Sequence, residues 1–305
     1  MSNKKTTIVG GKLMLVPMKQ IVDEAYAGGY GVPALPSMNE IQIRATIEAA
    51  VEMNSPLIFL TSNRGNAQFN HDMVKLFADQ VDVPVALCLD HSPSFEDCVM
   101  GIRTGCTAIM ADRSQLPYAE NVAQVKLLAD IAHAVGVSIE AELGHVGQGS
   151  NYAVDGVSAL TDPEEAKRFI AETGVDCLAV AIGTAHGAYT GVPKLDFERL
   201  QEINAACGLP LVIHGGSGSG DENLHKVCTM GVAKVNIVTD VLQATYRAIL
   251  AGDFSGNNGH SLYPTMFEAT KKEAIRSFEI TGSIGKAKVN AKNLVAFDTR
   301  STQEK

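Results

Sequence analysis

Short apolar runs of strand length alternate along this chain with longer segments in which apolar residues recur at helical spacing. The runs cover residues 31–35, 56–61, 83–89, 108–110, 137–142, 177–182, 209–213 and 233–237. Helical patterns fall at 39–53, 71–80, 94–104, 118–135, 162–173, 197–207, 221–230 and 238–250. The continuous apolarity of the runs suits parallel strands covered on both faces. Eight strand–helix units in 305 residues predict a closed (β/α)8 barrel. An open doubly wound sheet is the alternative, but it needs a topological switch and usually has fewer strands. The stretch Thr161-Asp162-Pro163-Glu164-Glu165 predicts a helix entry, with a capping side chain, Pro in the first turn and acids at the positive dipole end. Residues 262–280 predict one or two extra C-terminal helices. The whole chain, 1–305, reads as one barrel domain with a core at about 14–287 and polar tails.

Composition narrows the partners. The net charge is −9, with no long basic run or basic–aromatic stripe, so nucleic-acid binding is not expected. The longest apolar stretches are strand-sized and the N-terminus lacks a long apolar core, so neither a membrane span nor a signal peptide is expected. The six cysteines form no C-x-x-C pair and several lie in apolar runs. They read as reduced, small hydrophobes of a cytoplasmic protein.

The candidate chemistry sits where strands end. Apolar runs deliver Asp90-His91, His186 and His214 to one rim of the predicted barrel. Three imidazoles at equivalent strand ends can form a three-nitrogen metal site with an open position, the pattern of catalytic zinc. Any one of them alone would read as an ordinary hydrogen-bonded histidine. Asp90 would place a carboxylate beside that metal. Asp112, Glu140 and Glu142 lie at neighbouring strand ends and could orient the histidines or offer a second metal position; the plain alternative is a barrel-interior or capping carboxylate. His214-Gly215-Gly216-Ser217-Gly218-Ser219-Gly220 follows the seventh strand and precedes a helix, and Asn236-Ile237-Val238-Thr239-Asp240 follows the eighth. Loops in these positions commonly cradle phosphate, and glycines let amides approach an anion. Two long loops, 144–160 and 183–196, are lid candidates on the same face.

At this point the sequence resembles a known family. The carrying motifs are Pro84-Val85-Ala86-Leu87-Cys88-Leu89-Asp90-His91, Glu140-Ala141-Glu142-Leu143-Gly144, Val180-Ala181-Ile182-Gly183-Thr184-Ala185-His186-Gly187, His214-Gly215-Gly216-Ser217-Gly218 and Lys234-Val235-Asn236-Ile237-Val238-Thr239-Asp240. In this order they are similar to the motifs of class II, zinc-dependent ketose-bisphosphate aldolases of the fructose-bisphosphate and tagatose-bisphosphate type, over roughly residues 14–287. The resemblance implies His91, His186 and His214 as Zn2+ ligands, with other divalent metals as alternatives. It implies Asp90 as the acid/base at the C4 hydroxyl. Gly187, Gly215, Gly216, Ser217, Asn236 and Thr239 then hold the dihydroxyacetone-phosphate half, and Asp112 and Glu142 match a second metal position. Backbone oxygens near Gly187 and Gly215 would hold a monovalent cation. The implied substrate is a small sugar phosphate and the implied assembly a homodimer or homotetramer.

Three departures concern the other half of the substrate. A Phe-Asn pair usual after the first strand is replaced by Leu35-Pro36-Ser37-Met38-Asn39. The loop at Gly147-Gln148-Gly149-Ser150-Asn151 lacks the usual acid until Asp155. A usual Asp-Pro-Arg segment is replaced by Asn257-Asn258-Gly259-His260, without arginine. Arg64 and Arg113 are candidates for a rim site that takes another anionic tail; otherwise both are surface charges. The expectation is an aldolase whose aldehyde pocket departs from the fructose-bisphosphate pattern. A zinc-dependent epimerase or isomerase of a sugar phosphate or sugar acid is the alternative, and a non-catalytic sugar-phosphate sensor the third reading.

Overall fold

Parallel strands whose side chains are apolar on both faces must be covered inside and out, and a closed barrel does both. The computed structural model describes residues 14–63, 65, 67–151, 160–191 and 193–287. Helix α1 (Met18–Gly28) leads in. The barrel strands are β1 (Val32–Pro36), β2 (Leu57–Thr61), β3 (Val85–Ser92), β4 (Ala108–Ala111), β5 (Ser138–Leu143), β6 (Cys177–Val180), β7 (Leu211–Ile213) and β8 (Val232–Asn236). They pair in parallel in sequence order, and β8 closes on β1. The covering helices are α2 (Glu40–Glu52), α3 (Ala67–Ala78), α4 (Phe95–Thr104), α5 (Tyr118–Ala134), α6 (Pro163–Thr173), α7 (Phe197–Cys207), α8 (Asp221–Cys228), α9 (Thr239–Ala251) and α10 (Leu262–Thr281). This is the expected (β/α)8 barrel.

Local chemistry sets the helix ends. Asn39, Ser94, Asp162 and Asp196 each accept a backbone N–H of the first turn of the helix that follows. The C-terminal segment is one long helix rather than two. Pro264 falls in its first turn, where a missing N–H breaks no intrahelical bond.

Two packed layers result. Outward-facing residues such as Leu57, Phe59, Leu87 and Ile213 pack under the helices. Inward-facing residues such as Ile58, Ala86, Met110, Ala179 and Val212 fill the barrel, joined by Met18, Ile21, Val22 and Ala25 of α1. The sequence pattern did not single out α1. It lies across the strand starts: Val16 N–H donates to Val85 O (2.8 Å) and Lys19 N–H to Ser138 Oγ (2.9 Å). One end of the barrel is therefore stoppered, and the strand C-terminal end is the one left for a site.

Two strands break register. In β3, Leu89 pairs with Ile109 but Ser92 pairs with Ala111, so β3 carries one extra residue around Asp90 and His91. In β8, Val232 pairs with Leu211 but Lys234 with Val212, an extra residue at Ala233. Such bulges re-aim side chains. The five cysteines Cys88, Cys98, Cys106, Cys177 and Cys228 are buried and all six are free. Among the described residues no helix is long and apolar enough to cross a membrane.

Candidate active site

Neighbouring residues in a regular strand face opposite sides. Asp90 and His91 reach the same mouth because β3 bulges between them and Ser92, with His91 at φ +45°. That left-handed conformation is uncommon and costly for a residue with a Cβ, and such residues gather at functional sites. His186 comes from a short two-stranded ribbon, in which Gly147–Gln148 pairs with Ala185–His186. His214 stands just past β7. The three imidazoles meet at one point. His91 Nε2 lies 3.0 Å from His186 Nε2 and 2.9 Å from His214 Nδ1.

Two of the three rings are held from their other side by carboxylates. His91 Nδ1 lies 2.8 Å from Asp112 Oδ2, and Asp112 is itself fixed by the Ser114 hydroxyl at 2.8 Å. His214 Nε2 lies 2.8 Å from Glu140 Oε1. Lys234 Nζ donates to both oxygens of Glu140, at 3.0 and 2.8 Å. Lys234, Glu140 and His214 are all fully buried. Carboxylates on the outer nitrogens leave the inner nitrogens as lone-pair donors facing one point, the arrangement of metal-ligating histidines.

The electrostatics ask for positive charge at that point. Burial lowers the affinity of His91 for a proton, but Asp112, Asp90 and Glu142 outweigh it and lift its pKa to about 9. Burial and the neighbouring rings push His186 down to about 4. Burial, reinforced by Asp112, pushes the Glu142 carboxyl up. Burial opposes ionisation of Glu140, yet Lys234 and His214 hold its carboxyl below the usual range. Glu142 Oε2 is buried without a hydrogen-bond partner and lies 3.7 Å from His214 Nδ1. His91, His186 and His214 offer nitrogens within 4.8 Å of one another, and so do ligand atoms of His91, Asp112 and Glu142. Zinc–nitrogen bonds of 2.0–2.1 Å in a tetrahedron set nitrogens about 3.3 Å apart, close to the spacing seen. The donor set fits a divalent cation.

Beside this cluster, Asn236 Nδ2 donates to Asp90 Oδ1 at 3.2 Å, while Asn236 Oδ1 is buried and unpartnered. Lys234 and Asn236, two positions apart in β8, share its inward face. The glycine loop after β7 packs close. At Gly215 (φ +64°) an added Cβ would stand 2.1 Å from Ala185 O, so only glycine fits. Tyr189 OH donates to Gly215 O at 2.9 Å and accepts from Ala185 N–H at 2.8 Å, joining this loop to the ribbon that carries His186. Asp240 N–H donates to Ser217 Oγ at 3.0 Å, which leaves the Ser217 proton for another acceptor. The Asp240 carboxylate accepts from Gly218 N–H at 3.4 Å. Arg276 of α10 pairs with Asp221 and Glu273 and lies 3.7 Å from Asp240. It neutralises acids that would otherwise face an anion in the loop.

The structure thus brings together Asp90, His91, Asp112, Glu142, His186, His214, Ser217 and Asn236. Gly187 follows His186 at φ +80°, and Thr239 opens α9 at the loop's edge. Arg113 is neither at an open rim nor a surface charge. It is 4 % exposed, and its guanidinium donates to Ser92 O, Asp112 O and Gln124 Oε1, so its charge braces the loop behind Asp112. Arg64 and Asp155 lie outside the described residues, as do residues 152–159 of the first lid candidate. Sequence reasoning missed the Lys234 partnership, Tyr189 and Arg276. A charged residue inside the apolar run 233–237 was the one visible signal, for Lys234.

Comparison with known proteins agrees with this geometry. The sequence profile described as fructose-bisphosphate aldolase class-II matches residues 16–286. The crystal structure of the YdjI aldolase from Escherichia coli K12 is similar at 30% identity and a TM-score of 0.81, over 90% of this chain and 99% of that one. Fructose-bisphosphate aldolase (Fba) from Campylobacter jejuni shares the fold at 24% identity and a TM-score of 0.72, over 88% of this chain and 94% of that one. A barrel stoppered at one end, three imidazoles converging at the other and a family profile spanning nearly the whole described chain agree: this protein belongs to the class II fructose-bisphosphate aldolase family and is a carbon–carbon lyase.

Proposed function

We propose that this aldolase reversibly cleaves a ketose 1-phosphate or ketose bisphosphate to dihydroxyacetone phosphate and an aldehyde. The observation that carries the reading is the meeting of the His91, His186 and His214 nitrogens at one point, with Asp90 next in the chain and held by Asn236. His91, His186 and His214 would hold the metal, for which Zn2+ is our assignment, and Asp112 and Glu142 offer a second position. A bound divalent cation supplies positive charge beside a ketone oxygen and so stabilises the electron pair left when the adjacent carbon–carbon bond breaks.

The chain's own residues do the rest. Asp90 accepts the proton of the C4 hydroxyl as the C3–C4 bond breaks and that carbon becomes the aldehyde. In condensation it returns the proton. The Asn236 amide orients the carboxylate. The backbone of Gly187, Gly215 and Gly216, the Ser217 hydroxyl and the start of α9 at Thr239 hold the phosphate, and α9 adds the positive end of its dipole. Backbone oxygens near Gly187 and Gly215 would take a monovalent cation. Exposed apolar side chains of α9 and α10, Tyr246, Leu250 and Tyr263, support a homodimer or homotetramer. A cytoplasmic location is consistent with six free thiols.

The test is exchange of a C3 proton of dihydroxyacetone phosphate with solvent, together with triose-phosphate release from ketose phosphates. Both are expected to stop with a chelator and to return with added zinc. Asp90→Asn is expected to reduce cleavage by 10²–10⁴-fold. Interconversion of epimers without free triose phosphate would instead indicate the epimerase alternative.

A further inference from the structure

A cavity of about 380 Å³ opens beside Asp90 at the ends of β1 and β2, room for about a dozen water-sized groups. Its polar lining includes Ser37, Thr61, Ser62 and Asn70, and among the described lining residues Asp90 is the one charged group. The hydrogen-bond polarity of this wall follows from counting protons. Thr104 donates its hydroxyl proton to Met100 O at 2.9 Å. It therefore accepts from Nδ1–H of His71, also at 2.9 Å. His71 is fully buried and neutral, its pKa pushed down to about 4 by desolvation. Its Nε2 is then a bare acceptor, so Thr61 donates to it at 2.8 Å. Ser37 donates its proton to Leu60 O at 2.9 Å. Thr61, Ser37 and Asp90 are left with lone pairs alone; of the other two polar side chains in the lining, Asn70 gives one amide N–H to Met38 O at 3.0 Å and keeps the other, and Ser62 brings a hydroxyl. A phosphate dianion also brings only lone pairs, whereas a hydroxyl brings a proton.

We infer that this cavity takes an uncharged polyhydroxy aldehyde, recognised through hydroxyl protons given to the wall of Thr61, Ser37 and Asp90, and disfavours a phosphorylated one. The inference rests on the aldolase reading and names its second substrate. His71 acts through Thr61 as a positioning residue.

The experiment offers dihydroxyacetone phosphate with matched aldehydes: erythrose against erythrose 4-phosphate, and erythrose against butanal, which lacks the hydroxyls. Erythrose is expected to exceed erythrose 4-phosphate in kcat/KM by at least about ten-fold. Thr61→Val is expected to shrink the advantage of erythrose over butanal about ten-fold, mainly through KM, while Thr61→Ser keeps it. Equal or better use of erythrose 4-phosphate overturns the inference. So does an erythrose-to-butanal ratio that Thr61→Val leaves unchanged in a folded protein. Failure of the unaltered enzyme to exchange the C3 proton of dihydroxyacetone phosphate, measured without any aldehyde, overturns the aldolase reading itself and the inference with it.

Discussion

Lys234 shows how much one buried charge organises. Its ammonium is 0 % exposed and touches both oxygens of Glu140, which in turn fixes the His214 ring. Removing one partner of a buried pair strands the other charge, at a cost of about 3–5 kcal/mol. Lys234→Met is therefore expected to lower the urea midpoint by that equivalent. It is also expected to weaken metal binding 10- to 100-fold in a competition titration with a chelator, because His214 loses its anchor. Asp90, His91, His186 and His214 were legible from their places after apolar runs. The partnership of Lys234 with Glu140 was not, because it joins two strands far apart in the sequence across the barrel interior, a contact that no periodicity reveals. The same holds for Arg113, whose guanidinium satisfies carbonyls behind Asp112 instead of facing a ligand.

At the scale of elements, strands deliver the imidazoles and carboxylates but irregularities aim them. The bulge in β3 turns two consecutive residues to one mouth, and the Gly147–Gln148 ribbon pins His186. The eight strand–helix units could be read from apolar periodicity because burial on both faces leaves a strong signal. Helix α1 carries its own pattern in Met18, Ile21, Val22 and Ala25, but it is short and precedes the first strand, so it lay outside the alternation. The starts of α8 and α9 are tied to α10 by Arg276, directly behind the glycine loop. Arg276→Met is expected to loosen that tie and leave Asp240 and Asp221 unneutralised. KM for dihydroxyacetone phosphate should rise about ten-fold with little change in kcat, and Arg276→Lys should recover part of it; steady-state condensation kinetics would show this.

For the molecule as a whole, acid stability has a buried contributor away from the cluster of histidines. His71 is buried as the neutral ring, with its pKa lowered from 6.5 to about 4. The unfolded chain binds the extra proton between those values, so stability from this group is complete above about pH 6.5 and is lost as pH falls through about 4. In metal-free protein, His71→Gln is expected to flatten the rise of Tm between pH 4 and 6.5 relative to the unaltered chain, measured by thermal unfolding at each pH. The stopper formed by α1 has a further consequence. With Met18, Ile21 and Val22 packed into the strand starts, that end of the interior is closed among the described residues. Incoming substrate, departing products, solvent and protons then share the mouth at the strand C-terminal ends. A compound broad enough to bridge the glycine loop and the Thr61 wall would then halt cleavage and condensation together, whichever direction the cell runs.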